Sequence, residues 1–90
     1  MKILHDVPGL RFVLMDGDRQ IGELEYREGK GRINAIRTFV EVPYRKHGFA
    51  TQLLDALVWY ARSQGAKIVQ VCSFVKEAFA RHPERYQGVS

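Results

Sequence analysis

The sequence predicts a mixed α/β (α+β) fold: a mostly antiparallel, twisted sheet with two helices, in the order β-β-β-α-β-α. Three observations carry that expectation. Between Arg11 and about Val42, strand-forming segments are separated by short glycine-containing turns, the pattern of an antiparallel meander. From Phe49 to Gln64 the apolar residues Ala50, Leu53, Leu54, Leu57, Val58 and Ala61 fall on one helical stripe. The β-branched stretch Lys67–Cys72 then follows that helix, and a helical connection joins strands that run parallel.

Each element has a local reason. Residues 11–16 read as a first strand, closed by a Gly17-Asp18 turn. Residues 20–27 read as a second, with Gly22, Leu24 and Tyr26 on one face and Ile21, Glu23 and Glu25 on the other. Glu28-Gly29-Lys30-Gly31 is hairpin chemistry, because its two glycines can adopt positive φ. A third strand runs from Arg32 to about Val42. Gln52, Asp55 and Arg62 lie off the helical stripe and face water, while Trp59, beside Val58, is expected at the edge of the core. Gly65 stands where a helix ends in a left-handed residue. A second helix is expected from Phe74 to about His82, bounded by Pro83.

Ninety residues suffice for one domain, expected to span 1–90. Such a chain buries roughly 60–70% of its unfolded surface, leaving room for one core and for ligands only in a surface cleft. The net charge of +4 favours an anionic partner. The basic residues are dispersed and no aromatic-interleaved basic motif occurs, which argues against nucleic acid. One cysteine, Cys72, excludes an intrachain disulfide framework and suits a reducing, cytoplasmic setting. The opening residues include His5 and Asp6 without a long apolar run, unlike a signal peptide. No stretch approaches the roughly 20 apolar residues of a membrane-spanning helix. His5, His47 and His82 lack metal-ligand spacing among themselves or with Cys72, so no metal site is expected.

The segment from Val42 to Thr51 carries the strongest functional signal. A strand ends, the basic loop Arg45-Lys46-His47-Gly48 follows, and a long helix starts at once. A helix N-terminus offers unpaired N–H groups and the positive end of the peptide dipoles, a seat for phosphate or pyrophosphate. Gly48 allows close approach of a ligand to the backbone, and Thr51 adds a hydroxyl near the first turn. The bland alternative is a solvated basic loop entering a helix. The Gly-Lys-Ser/Thr ending of a P-loop is absent.

The run from Arg37-Thr38-Phe39-Val40 through Arg45-Lys46-His47-Gly48-Phe49-Ala50 to Leu53-Leu54 resembles the acetyl-CoA-binding motif of the GNAT superfamily of N-acetyltransferases. With Val71-Cys72-Ser73-Phe74-Val75, His82-Pro83 and Tyr86, it is similar to the minimal GNAT-like branch marked by a Cys-Ser-Phe/Tyr segment. The likeness covers about residues 20–88. It implies an acetyl-CoA-dependent N-acetyltransferase that acts on an unidentified amine, small molecule or protein, with coenzyme A as the released product. It implies main-chain pairing of Val40 and Val42 with the pantetheine arm. It also implies pyrophosphate contacts from Arg45, Lys46, His47, Gly48, Phe49, Ala50 and Thr51, and a place for Ser73 at the cofactor. Cys72 would lie near the thioester. Two departures stand out: Arg37-Thr38 replaces the family's common His-Thr, and Lys46 replaces the first glycine of its Arg-Gly-x-Gly-x-Ala/Gly loop.

Cys72 has two readings. Lowered in pKa by the helix that starts near Phe74, its thiolate could take the acetyl group and pass it on. Alternatively it packs as a small apolar group while the amine attacks directly. Glu23 and Glu25 could supply a general base or form a plain acidic face, and Tyr26, Tyr44, Tyr60 and Tyr86 could protonate a leaving thiolate or simply pack. The sequence lacks the two helices that a full GNAT domain carries between its first strands, which leaves the acceptor side open. The competing function is a CoA-binding or partner-docking regulatory module without turnover.

Overall fold

A computed structural model describes residues 1–90. Five strands form one sheet in sequence order: β1 (Lys2–Asp6), β2 (Arg11–Asp16), β3 (Arg19–Gly29), β4 (Arg32–Val40) and β5 (Lys67–Gln70). Neighbours from β1 to β4 are antiparallel, and β5 joins β4 in parallel after helix α1 (Phe49–Ser63). Helix α2 (Ser73–Arg81) follows β5, and 3-10 turns occupy Val42–Tyr44 and Pro83–Tyr86. The order is therefore β-β-β-β-α-β-α: the sheet and both helices match the sequence expectation, and β1 is an added strand.

β1 has no strand signature of its own. Its inward residue His5 works as an aromatic plate, stacked on Phe12 at 4.1 Å and edge-on to Tyr60 at 4.6 Å. A 2.6 Å hydrogen bond joins the His5 ring to the Tyr26 hydroxyl. Tertiary partners thus supply what the alternation lacks.

Other local expectations shift for definable reasons. Ile21 joins the core with Leu24 and Tyr26 instead of sharing the face of Glu23 and Glu25, because the pairing jumps from Leu14↔Gly22 to Met15↔Gln20 and leaves Ile21 as a bulge residue. Gly22 beside it is tightly enclosed, since a Cβ there would sit 2.9 Å from the Phe39 carbonyl oxygen and force the backbone to shift. In the β3–β4 hairpin the positive φ angles fall on Lys30 and Gly31, not on Gly29. Trp59 lies outside the core at 72% exposure. The C-terminus of α1 is as anticipated: Gly65 has φ of +63°, its N–H reaches Arg62 O, and the Ala66 N–H reaches Ala61 O. Together these bonds form a Schellman motif.

One cluster joins Leu14, Leu24 and Ile33 of the sheet to Leu53, Leu54 and Leu57 of α1 and to Val75 and Phe79 of α2. Both helices therefore cover the same face. The other face bears cross-strand rows of alternating charge, with Arg11 bonded to Asp6 and Glu23, and Arg37 to Glu23. No helix is long and apolar enough to cross a membrane.

The sheet forks beyond the middle of β4. Pairing of β4 with β5 runs from Arg32↔Lys67 to Ala35↔Gln70, and the Cys72 N–H closes the last rung onto Ala35 O at 2.8 Å. On the other side β4 stays paired with β3 as far as Gly22↔Val40, and Glu41 N–H bonds Ile21 O. That bond makes Gly22↔Val40 a non-hydrogen-bonded pair, so the N–H and C=O of Val40, and of Thr38 two residues earlier, point into the fork.

Candidate functional site

The strand–loop–helix segment forms one wall of this fork. β4 ends at Val40, two residues earlier than expected, because Pro43 lies inside the 3-10 turn Val42–Tyr44. Val42 therefore lies in the turn rather than on the β4 edge: it is 69% exposed, and its carbonyl accepts from the Arg45 N–H. Tyr44 ties the turn to the rest of the domain through its hydroxyl, which donates to the Asp16 carboxylate at 2.8 Å and thereby holds the phenol protonated.

The loop then makes two left-handed steps, at Lys46 with φ of +65° and at Gly48 with φ of +81°. Gly48 is the N-cap of α1 and offers no side-chain cap. The first intrahelical bond comes from Gln52 N–H to Gly48 O, which leaves the N–H groups of Phe49, Ala50 and Thr51 without intrahelical acceptors. No acidic residue lies in the first turn, and Arg45 and Lys46 stand beside it. The wall is thus electropositive from main chain and side chain alike.

A cleft of about 220 Å³ opens here. It brings together Val40, Arg45, Lys46, Gly48, Phe49, Ala50 and Thr51 of the residues singled out in the sequence, and it leaves Val42, His47, Cys72 and Ser73 outside its lining. It adds Tyr44 and Phe74. Phe74 closes the cleft from α2 and belongs to the Cys-Ser-Phe-Val segment, which was the available signal for it. A second groove of about 180 Å³ shares Thr51 and Phe74 and continues between α1 and α2 past Ala78 to Arg81 and His82.

Cys72 sits at the base of the fork. β5 ends at Gln70, so Cys72 is the N-cap of α2 rather than a strand residue, in extended backbone with φ of −72°. Its thiol is partly exposed and lies 3.5 Å from the Thr38 hydroxyl. Burial alone pushes the thiol pKa up. Interactions with the Thr38 hydroxyl and with the N–H groups of Val75, Phe74 and Thr38 outweigh it, so the net shift is below the usual thiol range. The sulfur makes no standard capping bond, and its anion is favoured by the converging donors at the start of α2.

The other candidates are engaged elsewhere. Glu23 is held by Arg11 and Arg37, and Glu25 by Arg27. The Tyr26 hydroxyl bonds His5, and Tyr86 is buried, stacked on Phe79 at 4.3 Å. Tyr60 donates to Glu28 at 2.7 Å, and that bond, with burial and the charge of Glu28, pushes its pKa up to about 12. His47 is exposed in the loop. No group of three or more His, Cys, Asp or Glu side chains is placed to hold a metal ion.

Fold and site together define a small α/β protein whose forked sheet presents unpaired main-chain groups beside an uncapped helix N-terminus. The model of a family described as GCN5-related N-acetyl-transferase matches residues 11–89, and the chain belongs to that family. Among solved structures, it is similar to one described as a "GCN5-like putative N-acetyltransferase" from Staphylococcus aureus. The two share 29% identity with a TM-score of 0.78, covering 98% of this chain and 85% of the other. A search of curated proteins gives no match.

Proposed function

We propose that this chain binds acetyl-CoA in the fork and transfers its acetyl group to an amine, with Cys72 as the acetyl-accepting nucleophile. The observation that carries the reading is the conjunction of three features along one fork: the β4 edge at Thr38 and Val40, which β5 leaves without a strand partner, the uncapped start of α1, and the Cys72 thiol 3.5 Å from the Thr38 hydroxyl at the base. The pyrophosphate would meet the N–H groups of Phe49, Ala50 and Thr51, with Arg45 and Lys46 supplying positive charge. The pantetheine amides would extend the sheet along Thr38 and Val40. That direction of chain leads the thioester toward Cys72.

The chemistry balances simply. The Cys72 thiolate attacks the thioester carbonyl carbon, the new S–C bond forms, and coenzyme A leaves as its thiolate and takes up a proton. An amine then attacks the S-acetyl carbon: the C–N bond forms, the C–S bond breaks with its electron pair going to the Cys72 sulfur, and the proton the amine loses balances the one taken up by coenzyme A, so Cys72 ends as the thiolate it began as. Donors from Thr38 and the first turn of α2 favour the charged form of the nucleophile. The absence of helices between β1 and β2 leaves the charged sheet face uncovered, which suits an acceptor carried on a larger molecule.

Isothermal titration with acetyl-CoA and intact-mass spectrometry of the incubated protein test the reading. Binding, together with an acetyl adduct on Cys72 that an amine discharges, is expected. No heat at near-millimolar acetyl-CoA would sink the binding claim. Tight binding without adduct or turnover would leave a CoA-binding regulatory module. Full activity in Cys72→Ala would remove Cys72 from the mechanism.

A further inference from the structure

The edge that the proposed ligand needs is already in use within the protein. The Nε–H of Arg45 donates to the Val40 carbonyl oxygen at 2.7 Å. Its guanidinium carbon also lies 5.6 Å from the centre of the Phe39 ring, which projects from the uncovered face of β4. Arg45 therefore bends from the loop over the rim of the strand, filling the acceptor in the fork while stacking on the far side. The remaining N–H groups of the guanidinium have no protein acceptor. Both Val40 and Arg45 line the same cleft.

We propose that Arg45 is a ligand-displaced strap: in the free protein it occupies the Val40 carbonyl, and on binding it surrenders that acceptor to a pantetheine amide and turns to the pyrophosphate. The proposal rests on the acetyl-CoA reading above. Chemistry favours the exchange. An unpaired β-strand carbonyl is a costly group to leave without a donor, so a side chain that covers it stabilises the free state. A pyrophosphate offers the planar guanidinium charged, bidentate acceptors that a single neutral carbonyl cannot match. The amide N–H of the ligand then replaces the guanidinium on Val40, so no buried acceptor is orphaned at either stage. The swap also makes occupancy of the strand edge depend on the phosphates. A ligand with the pantetheine amides but no phosphate must displace Arg45 without giving it a new partner.

That dependence produces a reversal of sign, which a merely structural Arg45 would not. Affinities of S-acetylpantetheine and acetyl-CoA are measured by NMR titration and calorimetry for the wild type, Arg45→Ala and Arg45→Lys, with melting temperatures as the control for folding. For Arg45→Ala, S-acetylpantetheine is expected to bind roughly fivefold to tenfold more tightly than to the wild type, the net scale of one hydrogen bond that no longer has to be displaced. Acetyl-CoA is expected to bind about tenfold or more weakly to the same variant, having lost a charged phosphate contact. Arg45→Lys, which keeps the charge but not the fork, is expected to hold acetyl-CoA within about threefold and still to gain for S-acetylpantetheine. In the wild type, the Arg45 Nε–H resonance should be protected from exchange and shift when acetyl-CoA is added.

Equal weakening of both ligands, or no change in either, overturns the proposal. So does failure of S-acetylpantetheine to bind any of the three proteins while acetyl-CoA binds the wild type. If acetyl-CoA itself fails to bind the wild type, the functional reading falls, and the strap falls with it for that separate reason.

Discussion

The loop before α1 holds two left-handed residues two positions apart, one with a side chain and one without, and exchanging them should move stability in opposite directions. Lys46 has φ of +65° and Gly48 of +81°. A residue with a Cβ costs about 1–2 kcal/mol in that region relative to its ordinary conformations. At Gly48 no atom lies within 4 Å of the position a Cβ would take, so Gly48→Ala meets no clash and the backbone term stands alone. Against it runs a gain of about 0.4–1 kcal/mol from the narrower unfolded ensemble of alanine. The net loss is about 1 kcal/mol, which for a domain of this size lowers Tm by about 4–8 °C. Lys46→Gly reverses both terms and removes one positive charge from a chain of net +4, so it should raise Tm by a few degrees. Thermal unfolding followed by circular dichroism reads both variants. An unchanged Tm in Gly48→Ala, or a lowered one in Lys46→Gly, would refute the assignment of strain to this loop.

The remaining expectations concern other parts of the fold. Cys72 should react with iodoacetamide along a pH profile whose midpoint lies below that of a free thiol; Thr38→Val, which removes the hydroxyl beside it, should move the midpoint up. An upward shift in the native protein would contradict the donor arrangement. Gly22→Ala should destabilise by about 1–3 kcal/mol in urea unfolding, since its Cβ would lie 2.9 Å from Phe39 O and Gly22 is held between β2 and β4. Ultraviolet titration should reveal one tyrosine ionising near pH 12 that disappears in Tyr60→Phe. His5 is shifted below its usual pKa, chiefly by burial and against the charges of Glu28 and Asp6, so its folded value is below its unfolded one. Its contribution to stability is present above the unfolded pKa and lost as pH falls through the folded value. His5→Phe should flatten that acid-side slope.

Much of this architecture can be read from local sequence. The stripe from Ala50 to Ala61 fixes α1 and its buried face because helical spacing leaves only one way to bury those side chains. Gly65 marks the helix end because the left-handed step that closes a Schellman motif is cheap only for glycine. The basic loop and the amides of Phe49 to Thr51 follow directly from a strand that ends just before a helix. What escaped the sequence depends on contacts between distant segments. β1 is held because His5 finds Phe12 across the β1–β2 hairpin and, from distant segments, Tyr26 and Tyr60. Ile21 is buried because a bulge changes the alternation near the start of β3. Trp59 is expected at the edge of the core from its place beside Val58, but it projects to solvent from α1. Val42 reads as strand by residue type, yet Pro43 turns the chain first. Arg45 on Val40 could not be seen at all, because a side chain that reaches back onto its own strand leaves no periodic trace.

Acetyl-CoA is proposed to enter the fork between β4 and β5. The most direct measurement is an amide-resolved NMR titration of the full chain with acetyl-CoA. Shifts concentrated at Thr38, Val40, Gly48, Phe49, Ala50, Thr51 and Cys72 are the expected result. No shifts at near-millimolar ligand, or shifts confined to surfaces away from the fork, would contradict the account.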